Sequence, residues 1–330
     1  MAALQPPAPR LHNDVYPFIY PSKFRGSLQG KVALITGSAG AIGQAVAECF
    51  AVAGAKLVLV YNRTQPATKE HFTNLGAADV LAVQCNVAEL RSCEELVRQV
   101  FSTIVQTLEA FGTVDILVNN AGANGLEPSP DSFMHDLAVN LHGPYYLMRL
   151  LMPGMRAQRS GCMLNITSRA GVLPNVPFST SYHSSKAALI NLTGCVQSEV
   201  DVDGLDGIHV YALHPGGVRS EMTLNKYKNA TDSLPDHPDI ATKLTQRVDG
   251  YNDSPYLNGM TCVALATGLA RHVLRGRYFD VGQDLEDVLT SGAAAIKADP
   301  GLYTLHTRYL GTVPDSSGKV LDPPFAFPGF

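Results

Sequence analysis

Residues 36–43, Thr36-Gly37-Ser38-Ala39-Gly40-Ala41-Ile42-Gly43 (TGSAGAIG), separate the apolar run KVALI at 31–35 from the helical pattern QAVAECFAVAGA at 44–55. A strand that turns through glycines into a helix brings backbone close to whatever sits on the turn. The helix start adds unpaired N–H groups and a partial positive charge there. Together these make a seat for the pyrophosphate of a dinucleotide. This reading commits the chain to an α/β architecture, and the rest of the sequence must supply the other strands.

Five further β-rich runs follow at near-regular intervals: AKLVLVY at 55–61, DVLAVQC at 79–85, VDILVNN at 114–120, CMLNITS at 162–168 and IHVYALH at 208–214. They are almost continuous in Val, Leu and Ile, as expected of parallel strands buried on both faces by helices. Helices are expected over Ala41–Ala53, Thr68–Leu75, Leu90–Phe111, Asp131–Arg156 and Thr180–Val202. Near Gly216 the pattern becomes polar and proline-punctuated, and residues 217–256 read as a lid or substrate loop. An apolar helix at 257–274 then leads to a last strand, GRYFDV at 276–281. The organisation expected is an N-terminal arm over 1–25, one domain over 26–285 and a C-terminal extension over 286–330.

Composition narrows the partners. The 330 residues carry a formal net charge of -4, which offers no general attraction for nucleic acid. Six scattered cysteines form no CxxC pair, so no metal site is expected. No uninterrupted apolar run reaches the length of a membrane span, and prolines interrupt the N-terminus where a signal peptide needs an apolar segment. A cytoplasmic protein with no membrane partner is the expectation.

Chemistry concentrates in SYHSSK at 181–186. Residues four apart share a helix face, so Tyr182 and Lys186 point into one cleft. Ser168 closes the strand MLNITS fourteen residues before Tyr182, and Asn140 lies upstream in VNLHG. A carbonyl that accepts hydride becomes an alkoxide. It needs a proton donor and a hydrogen bond that strengthens as charge develops. Tyr182 suits the first role and Ser168 the second, with Lys186 a cation that lowers the tyrosine's proton affinity.

These segments, from about Lys31 through Ser220, resemble the short-chain dehydrogenase/reductase family. Its turn follows TGxxxGxG; here Gly37 and Gly43 fit, Ala41 takes the usual place of the middle glycine, and Gly40 stands one residue early. Crowding rather than loss of the site is the expected effect. The resemblance implies a Rossmann-type doubly wound parallel sheet of about seven strands, with helices on both faces in a single domain. It implies a tetrad of Asn140, Ser168, Tyr182 and Lys186, in which the lysine also binds the nicotinamide ribose and the asparagine anchors a water in a proton relay. It assigns the cofactor to Gly37, Ser38, Gly40, Ile42 and Gly43 of the turn, to Asn120, Ala121 and Gly122 of the NNAG segment, and to Asn86 and Val87 beside the adenine. Pro215, Gly216, Val218 and Ser220 of HPGGVRS would hold the nicotinamide carboxamide.

The end of LVLVYNRT bears on the choice between NAD(H) and NADP(H). Tyr61 stands where an acidic residue would accept from the ribose 2′-hydroxyl, followed by Asn62 and Arg63. No carboxylate opposes a 2′-phosphate there, which favours NADP(H). Arg63 either pairs with that phosphate or is a solvated arginine, so NAD(H) stays open. His183, His214 and Arg169 are expected to be structural or solvated, with Arg169 also able to meet a polar or anionic substrate.

The expected activity is reduction of a ketone or aldehyde to an alcohol, or the reverse. The arm and tail resemble extensions of reductases of specialised metabolism, which suggests a bulky polyketide-like or terpenoid-like substrate. Family resemblance also implies a homodimer or homotetramer. Two other readings use the same fold: a non-redox cyclase or isomerase, and a cofactor-sensing binding protein without turnover.

Overall fold

The computed structural model describes residues 7–106, 113–126, 129–174, 176–228 and 230–307. A short helix α1 (Pro21–Phe24) precedes β1 (Val32–Thr36), whose five side chains are all buried. There follow α2 (Ala41–Val52), β2 (Lys56–Tyr61), α3 (Lys69–Leu75), β3 (Asp79–Gln84), α4 (Leu90–Gln106) and β4 (Ile116–Asn119). The second half runs α5 (Pro130–Leu137), α6 (Gly143–Gln158), β5 (Gly161–Ile166), α7 (Thr180–Val202) and β6 (Ile208–His214). After it come α8 (Glu221–Lys228), α9 (Ala230–Ser233), α10 (Pro238–Asp249), α11 (Pro255–Ala266), β7 (Tyr278–Asp280), α12 (Leu285–Leu289) and α13 (Ala293–Ala298).

All seven strands are parallel, in the order β3-β2-β1-β4-β5-β6-β7. The doubly wound sheet expected from the sequence is therefore present. Successive side chains alternate between its faces. Ala33, Ile35, Leu57 and Leu59 join the core beneath α2 and α11, while Val32, Leu34, Val58 and Val60 join the one beneath α4, α6 and α7. The chain reverses direction across the sheet between β1 and β4. The crevice at the carboxyl ends of these two strands is where such sheets bind ligands.

Three local readings differ from the structure. The single helix expected over Asp131–Arg156 is α5 and α6 joined by a π-helical turn, Ala138–His142, in which the Gly143 amide reaches back to the Ala138 carbonyl. One extra residue per turn leaves no mark on hydrophobic periodicity, yet it turns Asn140 fully inward. The apolar helix expected over 257–274 ends at Ala266, and Gly268 breaks it with φ of 83°. The helix expected to reach Phe111 is described only to Gln106, its last part lying outside the described residues.

Residues 7–24 pack against the main core. Tyr16, Ile19 and Phe24 are buried with α11, and Leu11 bridges to Gln283. Arg10 makes a two-pronged ion pair with Asp287, both bonds at 2.9 Å, and reaches Asp284 at 3.1 Å. His12 stacks on Tyr16 at 3.9 Å and bonds to Asp284 at 2.8 Å. The Tyr16 hydroxyl accepts from the Leu285 amide at 2.7 Å. On the far edge, the β7 residue Tyr278 donates its amide to the Tyr303 carbonyl at 2.8 Å. Among the described residues no helix is long and apolar enough to cross a membrane.

Candidate active site

The turn after β1 is built as its glycines require. Gly37 has φ of 63°, and a Cβ there would stand 2.9 Å from the Ala121 Cα. A Cβ on Gly43 would stand 2.2 Å from the Gly37 carbonyl oxygen, so this close packing of α2 on the turn excludes any side chain. Gly40 caps α2 without a side-chain acceptor, and Ala41 begins the helix on the exposed side. The helix start is thus open toward the crevice, and the methyl group of Ala41 needs no left-handed backbone. These features fit a pyrophosphate.

Asn120 ties the turn to β4. Its Nδ2 donates to the carbonyls of Thr36 at 2.9 Å and Gly37 at 3.1 Å, while the Thr36 hydroxyl accepts from the amides of Asn120 and Ala121, each at 3.0 Å. A groove of about 460 Å³ runs over this junction. Gly37, Gly40, Ile42 and Gly43 line it, as do Asn120, Ala121 and Gly122. Asn62 and Arg63 from the end of β2 line it as well, and Asn86 and Val87 from the end of β3. Asn86 is also occupied locally: its Oδ1 accepts from the Ala88 amide at 3.2 Å and its Nδ2 donates to Glu89 at 2.7 Å.

One turn residue is corrected by the structure. Ser38, expected to bind the cofactor, is fully buried and faces away from the groove; its hydroxyl donates to the Val60 carbonyl at 3.1 Å. The side chain and amide of Ser38 both bond that carbonyl, which fastens the turn to β2.

A second cleft of about 370 Å³ opens beside the groove. Tyr182 lines both, together with Ile42, Thr167, Pro215, Ser220 and Met222. Ser168, Gly216 and Val218 line the second cleft only. The Ser168 Oγ accepts from the Ala170 amide at 3.1 Å, which leaves its proton to be donated elsewhere. The outer wall comes from the segment after α10: Asp253 accepts from the Gly217 amide at 2.6 Å, and Arg219 donates to the Tyr251 carbonyl at 3.1 Å. Below this wall α9 and α10 share a small apolar core of their own, including Leu126, Leu234, Leu244 and Val248.

Lys186 is buried, and its Nζ donates to the Ile166 carbonyl at 2.8 Å while standing 5.6 Å from the centre of the Tyr182 ring. Burial lowers its pKa from 10.5 to about 8, with Asp136 acting in the opposite direction. Asn140 lines neither cavity. Its Oδ1 accepts from the Ala123 amide and its Nδ2 donates to the Ala123 carbonyl, both at 2.8 Å, and Nδ2 also reaches the Ser185 hydroxyl at 3.0 Å. It clamps the loop after β4 to α7, the helix that carries Tyr182 and Lys186.

The three flanking residues all line the second cleft. Arg169 pairs with Asp280 through two bonds, at 2.5 and 3.1 Å. His214 accepts from the Arg169 amide at 3.3 Å through Nδ1, and burial pushes its pKa down to about 4, so the ring is neutral with its proton on Nε2. The His183 Nδ1 meets the Ser179 carbonyl at 2.7 Å and so carries a proton. Sequence reading did not single out Met222, Tyr251 or Asp253 as wall residues, because the lid's contacts are formed only when it folds back on β6. It also passed over Asp136, which resembles any surface acid on a helix but is 1% exposed.

The family model for short chain dehydrogenases matches residues 31–231. A short chain dehydrogenase of Pseudocercospora fijiensis is 33% identical over 289 residues, covering 84% of this chain and 88% of that protein. The short chain dehydrogenase pigC of Monascus ruber is 28% identical, covering 88% of this chain and 90% of its own. Among solved structures, the L-sorbose reductase of Gluconobacter frateurii, complexed with NADPH and L-sorbose, superposes with a TM-score of 0.64 at 28% identity, covering 79% of this chain and 99% of that one. The chain belongs to the short-chain dehydrogenase family, oxidoreductases that act on alcohol and carbonyl groups.

Proposed function

We propose that the protein is an NADP(H)-preferring carbonyl reductase or alcohol dehydrogenase with Tyr182 as its general acid and base. The observation that carries this reading is the position of Tyr182 at the junction of the two cavities, next to the buried Lys186. A nicotinamide cofactor, when bound in the groove, supplies or accepts the hydride. Tyr182 gives its proton to the nascent alkoxide, or takes it from the alcohol in the reverse direction, and Ser168 donates a hydrogen bond to the same oxygen. Bringing a tyrosine from about 10 to near 7 takes about 4 kcal/mol in favour of the phenolate. The Lys186 ammonium supplies charge of the required sign. Asn140 holds the backbone of Ala123 at the foot of the groove, consistent with a place in a proton relay.

Arg63 lines the groove where Tyr61 stands in place of a carboxylate, which supports NADP(H); the related L-sorbose reductase was crystallised with NADPH. The second cleft, at about 370 Å³, lies within the range of small-molecule sites. Its mixed wall of Val176, Met222, Tyr251, Ser179 and His214 suits a medium-sized or bulky, partly oxygenated ketone or alcohol. Fluorescence titration with NADPH and with NADH tests the cofactor. NADPH is expected to bind at least tenfold more tightly, and Arg63→Ala to remove most of that margin without weakening NADH. Equal affinities would overturn the assignment of Arg63. A screen of ketones with NADPH tests the reaction; Tyr182→Phe is expected to lower turnover by a factor of about 10² to 10⁴ with NADPH binding retained.

A further inference from the structure

Residues 10–13 make contacts that anchoring of the arm does not require. Tyr16, Ile19 and Phe24 bury its apolar side chains. Residues 10–13 contribute instead a run of polar bonds at the carboxyl end of β7, the end at which such sheets take ligands. The Asp284 amide donates to the Arg10 carbonyl at 2.9 Å and the His12 amide to the Gly282 carbonyl at 2.8 Å, on either side of the Leu11–Gln283 bridge. This path lays His12 beside the Arg169–Asp280 ion pair. Gly282 donates its amide to Asp280 at 3.1 Å, and a Cβ on it would stand 3.2 Å from the Asp280 carboxylate, 3.5 Å from the His12 carbonyl and 3.6 Å from the Arg169 guanidinium. The next residue turns to another part of the cleft: the Asn13 carbonyl accepts from the Ser254 amide at 2.7 Å. Ser254 follows Asp253, whose amide donates to the Gly217 carbonyl at 3.2 Å and whose carboxylate accepts from the Gly217 amide at 2.6 Å. Arg169, Gly217 and Asp253 all line the second cleft. Two consecutive arm residues thus each bond to the support of a different wall segment.

We propose that the N-terminal arm braces the substrate cleft, with His12 and Asn13 as positioning residues whose backbone groups hold the Arg169 and Asp253 wall segments in fixed relation. This rests on the reading of the second cleft as the substrate site. The two segments belong to different loops, one after β5 and one after α10. Loops tied only at their ends sample many positions, and a substrate that needs one of them must meet the ordering cost on binding. The arm orders them beforehand. Its own path is set away from the cleft by side chains, Arg10 on Asp287 and His12 on Asp284, while its struts are backbone groups. None of residues 10–13 lines the cofactor groove, so cofactor affinity is independent of the brace. The strut at Ser254 can be cut singly. Ser254 caps α11 without a side-chain bond and already has φ of -67°, the value that proline imposes. Ser254→Pro therefore deletes the donated N–H and sets ring carbon against the Asn13 carbonyl without asking the backbone for a new φ.

Two variants cut the brace at opposite ends. Ser254→Pro removes the strut at the wall, and the double variant Arg10→Ala/His12→Ala releases the arm at its anchors with every cleft residue unchanged. Hydrogen exchange of the full-length proteins, resolved to single amides, is the test. In both variants exchange at the Gly217 and Asp253 amides is expected to rise about tenfold more than at Leu34 and Leu59, sheet amides that report global opening. For the ketone that the wild type reduces fastest with NADPH, KM is expected to rise about fivefold or more, with kcat changed by less than about twofold and NADPH affinity retained. Exchange at Gly217 and Asp253 that rises no more than in the sheet, in a double variant whose Ser254 amide has lost protection, overturns the proposal: the arm then only stabilises the fold. So does an effect confined to Ser254→Pro while the double variant frees the arm. Where Ser254 stays protected in the double variant, Ser254→Pro decides by the same criterion, and where Ser254→Pro does not fold the double variant decides. Raised exchange in a protein that reduces no ketone would uphold the brace and count against the carbonyl-reductase reading.

Discussion

Lys186→Met exchanges a buried ammonium for an unbranched apolar chain of similar length, and its effect on stability has a sign opposite to its effect on activity. The fall from 10.5 to about 8 is caused first by burial. At 1.36 kcal/mol per pKa unit it amounts to about 3 kcal/mol by which the folded state disfavours the charged lysine. The folded value is the lower one, so the cost is fully present below about pH 8, where folded and unfolded chains both hold the proton. It fades as pH rises from about 8 toward 10.5, because the folded chain releases the proton first. Loss of the bond to the Ile166 carbonyl offsets about 1 to 2 kcal/mol of the gain. The variant is therefore expected to be more stable than the wild type by about 1 to 2 kcal/mol at pH 7, and that advantage should shrink by about 2 kcal/mol by pH 9.5. Urea unfolding of both proteins at several pH values measures it. A stability gap constant over that range would refute the argument that Lys186 is held against its solvation.

Gly43→Ala should drive a methyl group into the Gly37 carbonyl oxygen, opening the turn after β1 and weakening NADPH binding by tenfold or more in a fluorescence titration; unchanged affinity would mean that α2 does not rest on the turn as described. Asp284→Ala should cost about 2 to 4 kcal/mol in urea unfolding, because the buried carboxylate caps α12 through the amides of Glu286 and Asp287 and also receives His12 and Arg10. Arg10→Ala, whose side chain is 62% exposed, should cost distinctly less than Asp284→Ala; equal losses in the two variants would contradict this division.

Much of the site is local in sequence and was legible there. Helix α7 runs from Thr180 to Val202 as its pattern predicts, and Tyr182 and Lys186 share a face because four residues make about one helical turn. The turn at 36–43 announces itself because Gly37 and Gly43 stand where no other residue fits. What stayed hidden depends on contacts between distant segments. Ser38 points inward because β2 offers it the Val60 carbonyl, and no pattern within TGSAGAIG reveals that. The π turn at Asn140 shifts phase by a single residue, too little to disturb apolar spacing. Asp136 reads as a surface acid until the loop after β4 and α7 close over it. The prolines around Tyr16, Ile19 and Phe24 conceal an apolar face that is completed only by α11.

The clasp between Arg10 and Asp287 has a consequence for the timing of biosynthesis. Its two halves are 277 residues apart in the chain. At about 5 to 20 residues per second, the segment bearing Tyr16 and Ile19 leaves the ribosome roughly 15 to 55 seconds before its receptor at Asp284 and Leu285 exists. For most of that interval Tyr16 and Ile19 lack α11, the helix against which they are buried. The latch thus ties one of the first parts of the chain made to nearly the last, and a nascent chain stalled before α11 would present this apolar segment without its main partner.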